Sequence, residues 1–488
     1  MSIQETGRGK RSVRGDTVRE RLRIGKSCSV FFYVKIPDFM EVSDMDFLKG
    51  NIKTLYLKLL FPSLIGAVVM SVYSFVDTIA VGQSEGVTGT GAMAVIAPIY
   101  GVIVFLAILC GVGGSVMMGV ARGEGKTEKG NACFTVACLL MTIITVVSWI
   151  ALLTCTEPIF RLFGANDEVL SKTFEYGQLI IWFFPVFVFT IFIPAFIRND
   201  GAPKLAMAAV VAGGCVNIFG DWFLVFPMGM GMTGAALATV IGTSVQAVIM
   251  GSYFFRKDCR LRIVKPRHYL KGFRSIFRIG IGAGALDLGT IVIGAVMNNR
   301  ILAYGGTKEL AVYGVIATIM SLLQALFCGV GQAIQPLVSA NFGAMQTERI
   351  RKIWKYSLIT VLLMGVLFMT AGELMPLQIT KLFMDADESV LKIVPGAFRL
   401  HFTVYMFLGV TVLAAYYLQS IMKEIASIIV GFSHSVILTS AACYLLPALM
   451  GMDGVWLALP VAEILIAAIA VMYISRLNTK LRTTNSSL

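Results

Sequence analysis

Charge is scarce in this chain. Asp, Glu, Lys and Arg make up 14% of its 488 residues, against roughly 25% in soluble proteins, and that excludes an ordinary water-soluble globule. Histidine is rarer still, with His268, His401 and His434 the only copies. They are too few and too scattered to supply the clustered bases and nucleophiles of an integral membrane enzyme. The nine cysteines form no CxxC pair and show no metal-ligand spacing. Cys110, Cys138, Cys215 and Cys443 fall in apolar stretches and read as small packing residues. No GxxxxGK[ST] loop is present, so nothing marks an ATP site, and no cofactor is expected.

Apolar residues fill the chain instead, at 57% with a mean hydropathy of +0.80. Crossing a hydrocarbon core of about 30 Å takes roughly 20 such residues. Twelve runs are long enough, near 54–82, 92–120, 132–155, 173–197, 203–226, 232–255, 274–299, 310–338, 355–374, 391–417, 423–447 and 452–475. The expected fold class is an all-α polytopic membrane protein with twelve transmembrane helices.

The net charge of +13 raises nucleic acid as a partner, and its distribution argues against that. Basic residues sit in short connections rather than along a face with interleaved aromatics. Arg122, Lys126 and Lys129 follow the second span, Arg198 and Lys204 the fourth, and Arg349, Arg351, Lys352 and Lys355 the eighth, whereas 83–91 and 448–453 carry no Lys or Arg. By the positive-inside rule both termini and the basic linker are cytoplasmic, in a multi-pass plasma-membrane protein. The expected organisation is a basic, disordered tail over 1–50, a six-helix lobe over 51–256, a linker over 257–273, a second lobe over 274–475 and a tail over 476–488. Val30–Val34 is too short for the core of a signal peptide. The stretch before it reads as an unstructured extension, or as one lying upstream of a true start at Met40 or Met45.

The two lobes are copies. Gly111-Val112-Gly113 with Gly125 recurs as Gly329-Val330-Gly331 with Gly343; Leu162-Phe163 before Asp167-Glu168 recurs as Leu382-Phe383 before Asp387-Glu388; and Gly231-Met232-Thr233-Gly234 recurs as Gly451-Met452-Asp453-Gly454, at offsets of 218 to 220. Six spans per copy is an even number, so the copies share one orientation, about an axis along the membrane normal. The glycines at 111, 113, 114, 329 and 331 lie mid-span and read as close helix approaches rather than phosphate loops. Pro62, Pro98, Pro194 and Pro336 can kink spans or free carbonyls.

A charge inside a span is costly enough to be read as functional by default. Asp77 and Asp221 lie in the first and fifth spans, each about five residues or roughly 8 Å before the outer end. Asn217 precedes Asp221 by one turn and shares its face, and Thr239 reaches nearly the same depth from the outer start of the sixth span. These oxygens suit Na+, or the acids alone suit H+; the bland alternative is that both acids only bond helix backbones. The second copy places Asn298, Ile437 and Ala441 near the positions of Asp77, Asn217 and Asp221. It has its own charges, Asp287 in the seventh span and Arg399 with His401 in the tenth. Asp287 and Arg399 count to one depth, about 18 Å from the cytoplasmic side, as a structural bridge or part of a substrate site.

At these residues the chain resembles the multidrug and toxic compound extrusion (MATE) family. The matching stretches are Phe61-Pro62 with Val76-Asp77-Thr78 and Val81-Gly82; Ile193-Pro194 with Ile197-Arg198-Asn199-Asp200-Gly201; Val216-Asn217-Ile218 with Asp221; Gly234-Ala235-Ala236-Leu237-Ala238-Thr239; and Pro336-Leu337-Val338-Ser339-Ala340-Asn341-Phe342-Gly343-Ala344. The resemblance implies two six-helix lobes in a V, alternating access, and export of small, amphipathic, cationic organic compounds in exchange for Na+ or H+. No nucleic-acid partner and no obligate protein partner is expected beside the lipid bilayer. The resemblance also implies a first-lobe cation site of Asp77, Asn217, Asp221, Thr239 and the carbonyl of Ala235, and it matches Asp287 to an acidic position of the seventh helix. The chain departs from relatives in reading Gly280-Ile281-Gly282 where a proline is usual and Ser433-His434-Ser435 near a common arginine. An acidic residue of the tenth helix in some Na+-coupled members is absent. Related branches export metabolites or flip lipid-linked oligosaccharides. A flippase of that kind is expected to line its cavity with cations, for which Arg399 is the one candidate.

Overall fold

In a bilayer an unpaired backbone amide or carbonyl costs several kcal/mol, so a spanning segment must close its hydrogen bonds internally. The computed structural model describes residues 45–266, 269–383 and 387–485, without the side chains of 87, 285–288, 290, 291, 435 and 480–485. Helix is the one regular structure among the described residues. The long segments are α1 (Ile52–Gly86), α2 (Thr88–Gly123), α3 (Thr127–Thr154), α4 (Asp167–Trp182 and Phe184–Asn199), α5 (Pro203–Val225) and α6 (Gly231–Phe255). The second six are α7 (Tyr269–Tyr304), α8 (Thr307–Gly343), α9 (Thr347–Leu374), α10 (Glu388–Ser420), α11 (Glu424–Phe432, Ser433–Ile437 and Leu438–Met450) and α12 (Met452–Asn485). Among the described residues nine of these are long and apolar enough to cross alone. The bent pair of α4 makes a tenth, and α7 and α11 complete the two six-helix lobes.

Three departures from the expected regular spans have physical reasons. The loop at 83–91 shrinks to a kink at Gly86, whose φ of +62° and ψ of −139° form a backbone shape open to glycine. The fourth span, expected unbroken over 173–197, bends by 59° between Trp182 and Phe184. Pro185 has no N–H to return to Ile181, and the indole Nε1 of Trp149 donates to that carbonyl at 2.7 Å instead. In α5 a π turn over Asp221–Val225 inserts one extra residue just at the buried acid.

Each lobe has a core of its own, and the two exchange helix starts. Leu55, Tyr56, Leu59 and Leu60 at the start of α1 pack into the second-lobe core, where the Tyr56 hydroxyl donates to Thr360 Oγ1 on α9 at 2.9 Å. Ile276 at the start of α7 packs reciprocally into the first-lobe core. Helix α2 meets α7 through Val112, Val116, Val120, Ile279 and Ala283.

The expected close approaches are present. Gly111 faces the Phe192 backbone, Gly113 the Ile276 carbonyl, Gly114 the side chains of Ala137 and Phe196, Gly329 the Ser63 backbone and Gly331 the Tyr416 ring. The tightest crossing joins α2 to α8 beside the basic loops. A Cβ on Gly123 would overlap the Ala340 carbonyl, and one on Gly343 would overlap the Val120 carbonyl. Those pairs are exchanged by the internal repeat, as a two-fold relation demands.

Candidate functional site

Asp77 on α1 and Asn217 and Asp221 on α5 are buried, at 7%, 3% and 0% exposure. Beside them on α6 are buried Ala235 and half-buried Thr239, one turn apart and so on one face. The link between them is Tyr176 on α4, which the sequence did not mark. Its hydroxyl donates to Asp77 Oδ2 at 2.9 Å and lies 3.4 Å from Thr239 Oγ1, to which Asn217 Nδ2 donates at 3.2 Å. Asp221 lies near enough to Asp77 for their charges to interact.

What this arrangement leaves over is acceptor capacity. Asp77 Oδ1, Asn217 Oδ1 and both carboxylate oxygens of Asp221 are shielded from solvent and have no hydrogen-bond partner. Leaving a buried acceptor unsatisfied costs about 1–3 kcal/mol, more when it is charged, so four from three residues favour a hard cation or protons. Asp77, Asn217 and Thr239, expected at one depth, are thus brought together through Tyr176. Above them, Glu85 on α1 accepts from the Met232 N–H at the start of α6 at 3.1 Å and pairs with Lys172 of α4 at 3.0 Å. A carboxylate at a helix N-terminus is favourably placed, and this one ties together three helices of the site.

Of the second-lobe charge site expected from Asp287, Arg399 and His401, the grouping of Arg399 with His401 is not formed among the described residues. Arg399 is exposed, whereas His401 is fully buried, edge-on to Tyr313 and Trp456 at centroid distances of 6.2 and 6.4 Å. Residues two apart on a helix point to different sides, so the pair cannot share one site. The side chain of Asp287 lies outside the described residues, as does His268. Asn298, Ile437 and Ala441 are exposed, so the second lobe does not repeat the acidic cluster at those positions. It holds instead a buried pair between His434 Nδ1 in the π turn of α11 and Glu463 Oε1 on α12. Glu463 is a charge in the last apolar run, a signal that the sequence carried and the reading above passed over.

On the basic-loop face, buried Asp200 accepts from Arg122 at 2.5 Å, from the Tyr253 hydroxyl at 2.6 Å and from the Arg260 N–H at 2.8 Å. The thiol of Cys259 in this linker has its pKa raised by burial, in keeping with cysteine as a packing residue. Across from it, Arg349 on α9 binds Asn341 Oδ1 at 2.8 Å and the carbonyls of Phe47 and Gly50 at 3.0 and 2.8 Å, pinning the segment before α1 to the second lobe. A cavity of about 170 Å³ opens between α1, α2, α4 and α5, with Gln246 of α6, Gln332 of α8 and Tyr416 of α10 also in its wall.

Comparison with known proteins bears on the same residues. The MatE family model matches twice, over 62–223 and 288–445, once in each lobe, as the internal repeat requires. Relatives include the multidrug export protein MepA of Staphylococcus haemolyticus (strain JCSC1435), 23% identical over 429 residues covering 88% of this chain and 94% of the relative. MepA of Staphylococcus aureus (strain MRSA252) is 22% identical over 431 residues, with the same two coverages. Among solved structures, an outward-facing conformation of a multidrug resistance MATE family transporter of the MOP superfamily superposes with a TM-score of 0.84 at 21% identity, covering 91% of this chain and 100% of that one. A crystal structure of MATE in complex with MaL6 gives 0.83 at 22% identity, covering 90% and 98%. With the two family matches spanning more than half of its length, this chain belongs to the MatE family, the multidrug and toxic compound extrusion transporters.

Proposed function

We propose that this protein is a plasma-membrane antiporter that exports small amphipathic, cationic organic compounds in exchange for Na+ or H+ by alternating access. The observation that carries the reading is the set of four unpartnered oxygens on Asp77, Asn217 and Asp221, joined to Thr239 through Tyr176. The Ala235 carbonyl and Thr239 complete a ligand set for Na+; the two carboxylates alone serve H+. The crossing at Gly123 and Gly343 supports a state closed at the basic loops, which the charge distribution assigns to the cytoplasm together with both termini and the linker. A ligand that favours one state shifts the equilibrium only by its differential affinity. Exchange therefore requires that ion and substrate favour opposite states.

The test is transport by the purified protein in proteoliposomes, driven first by a Na+ gradient at fixed pH and then by a pH gradient without Na+. Dye movement under one gradient, lost in Asp77→Asn, supports the reading and names the ion. Exchange under neither gradient overturns it.

A further inference from the structure

The cavity between the lobes is apolar over most of its wall, with Ser63, Thr190, Arg198, Gln246, Gln332 and Tyr416 as its polar members. Arg198 is the one charged residue among the described lining residues. At the basic-loop end of α4, half-buried Arg198 has no carboxylate partner and no side-chain hydrogen bond among the described residues, and its Nε is shielded from solvent. The nearest acid in sequence, Asp200, is unavailable because Arg122, Tyr253 and the Arg260 N–H already occupy its oxygens. Ser63, on the α1 wall of the same cavity, is also buried with its Oγ unpartnered. Two donors on separate helices thus face one cavity with nothing to receive them.

We propose that this cavity binds the acidic group of an amphipathic substrate on Arg198 and Ser63. The proposal rests on the export reading above and names the subsite that holds an acidic group. The volume of about 170 Å³ is below the roughly 300–1,000 Å³ that encloses a whole drug-sized ligand, and suits one carboxylate- or sulfonate-bearing ring. A charge-assisted bond from a guanidinium fork is roughly twice as strong as a neutral one. Repulsion from the acidic cluster is weak, because Ser63 and Asp77 stand about 20 Å apart along α1 at 1.5 Å per residue. A single cation also differs from the lined cavity expected of an oligosaccharide flippase.

Rhodamine 123 and its free acid, rhodamine 110, differ only in whether the carboxyl group is esterified. Equilibrium binding of each dye to the full-length protein in detergent, read by fluorescence anisotropy, gives an acid-to-ester affinity ratio that needs no gradient. Arg198→Gln is expected to lower that ratio about tenfold, the equivalent of one hydrogen bond to a charged group, with ester binding within about twofold of the original. If Arg198→Gln is not monodisperse on size exclusion, Ser63→Ala decides, with an expected fall of about threefold for a neutral donor. An unchanged ratio in a monodisperse variant overturns the proposal, as does equal loss of both dyes or no binding of the free acid by the unaltered protein. Failure of gradient-driven exchange would strike the antiporter reading and leave this ratio standing.

Discussion

The hydroxyl of Tyr176 donates to Asp77 Oδ2 across 2.9 Å, from a helix 99 residues further along the chain. That bond orients the carboxylate and leaves Oδ1 as its unpartnered atom. Removing it in Tyr176→Phe should change apparent affinity for the coupling ion by about tenfold, as a hydrogen bond to a charged group is worth about 1.5–3 kcal/mol. Ion titration of dye exchange in proteoliposomes measures this; an unaltered titration would leave Tyr176 a packing residue.

Asp77→Asn and Asp221→Asn should each abolish coupled exchange while leaving membrane insertion intact, because the substitution removes a ligand charge and adds none to the span. Asp287→Asn should have a smaller effect or alter substrate range. Full exchange by Asp77→Asn at normal expression would remove the acid from the ion site.

The crossing of α2 and α8 tolerates no side chain at Gly123 or Gly343, and the atoms in the way are backbone carbonyls that cannot rotate aside. Gly123→Val and Gly343→Val should each hold the lobes apart at the basic-loop face and slow exchange at least about tenfold, the scale of a 1.4 kcal/mol bias. A cysteine placed at Ala340, buried at present, should become open to a membrane-impermeant maleimide. Protection of that cysteine equal to that in the parent would contradict the geometry.

His434 and Glu463 are both about 1% exposed and paired with each other. Breaking a buried pair on one side costs about 3–5 kcal/mol, whereas replacing both partners with apolar groups is often neutral. Glu463→Gln should therefore melt at a lower temperature in detergent than the double variant His434→Leu, Glu463→Leu. The reverse order would mean that the pair does not hold α11 to α12.

The spans, the repeat and the level of the acidic cluster were legible in the residues themselves, because hydropathy is local and a helix rises by a constant 1.5 Å per residue. Counting along α1, α5 and α6 was enough to bring Asp77, Asn217, Asp221 and Thr239 to one depth. Direction around each helix was not legible. In a bilayer the lipid-facing and helix-facing sides of a span are similarly apolar, so no amphipathic stripe tells inside from outside. For that reason Arg399 was grouped with His401 although one is exposed and the other buried, and Arg198 was read as a loop cation when it lines the cavity. The Tyr176 bond, the Trp149 indole on the Ile181 carbonyl and the exchange of helix starts between the lobes join residues far apart in the chain. Each depends on which faces meet once twelve helices pack together, and that is settled by close packing across the whole bundle rather than by any local pattern.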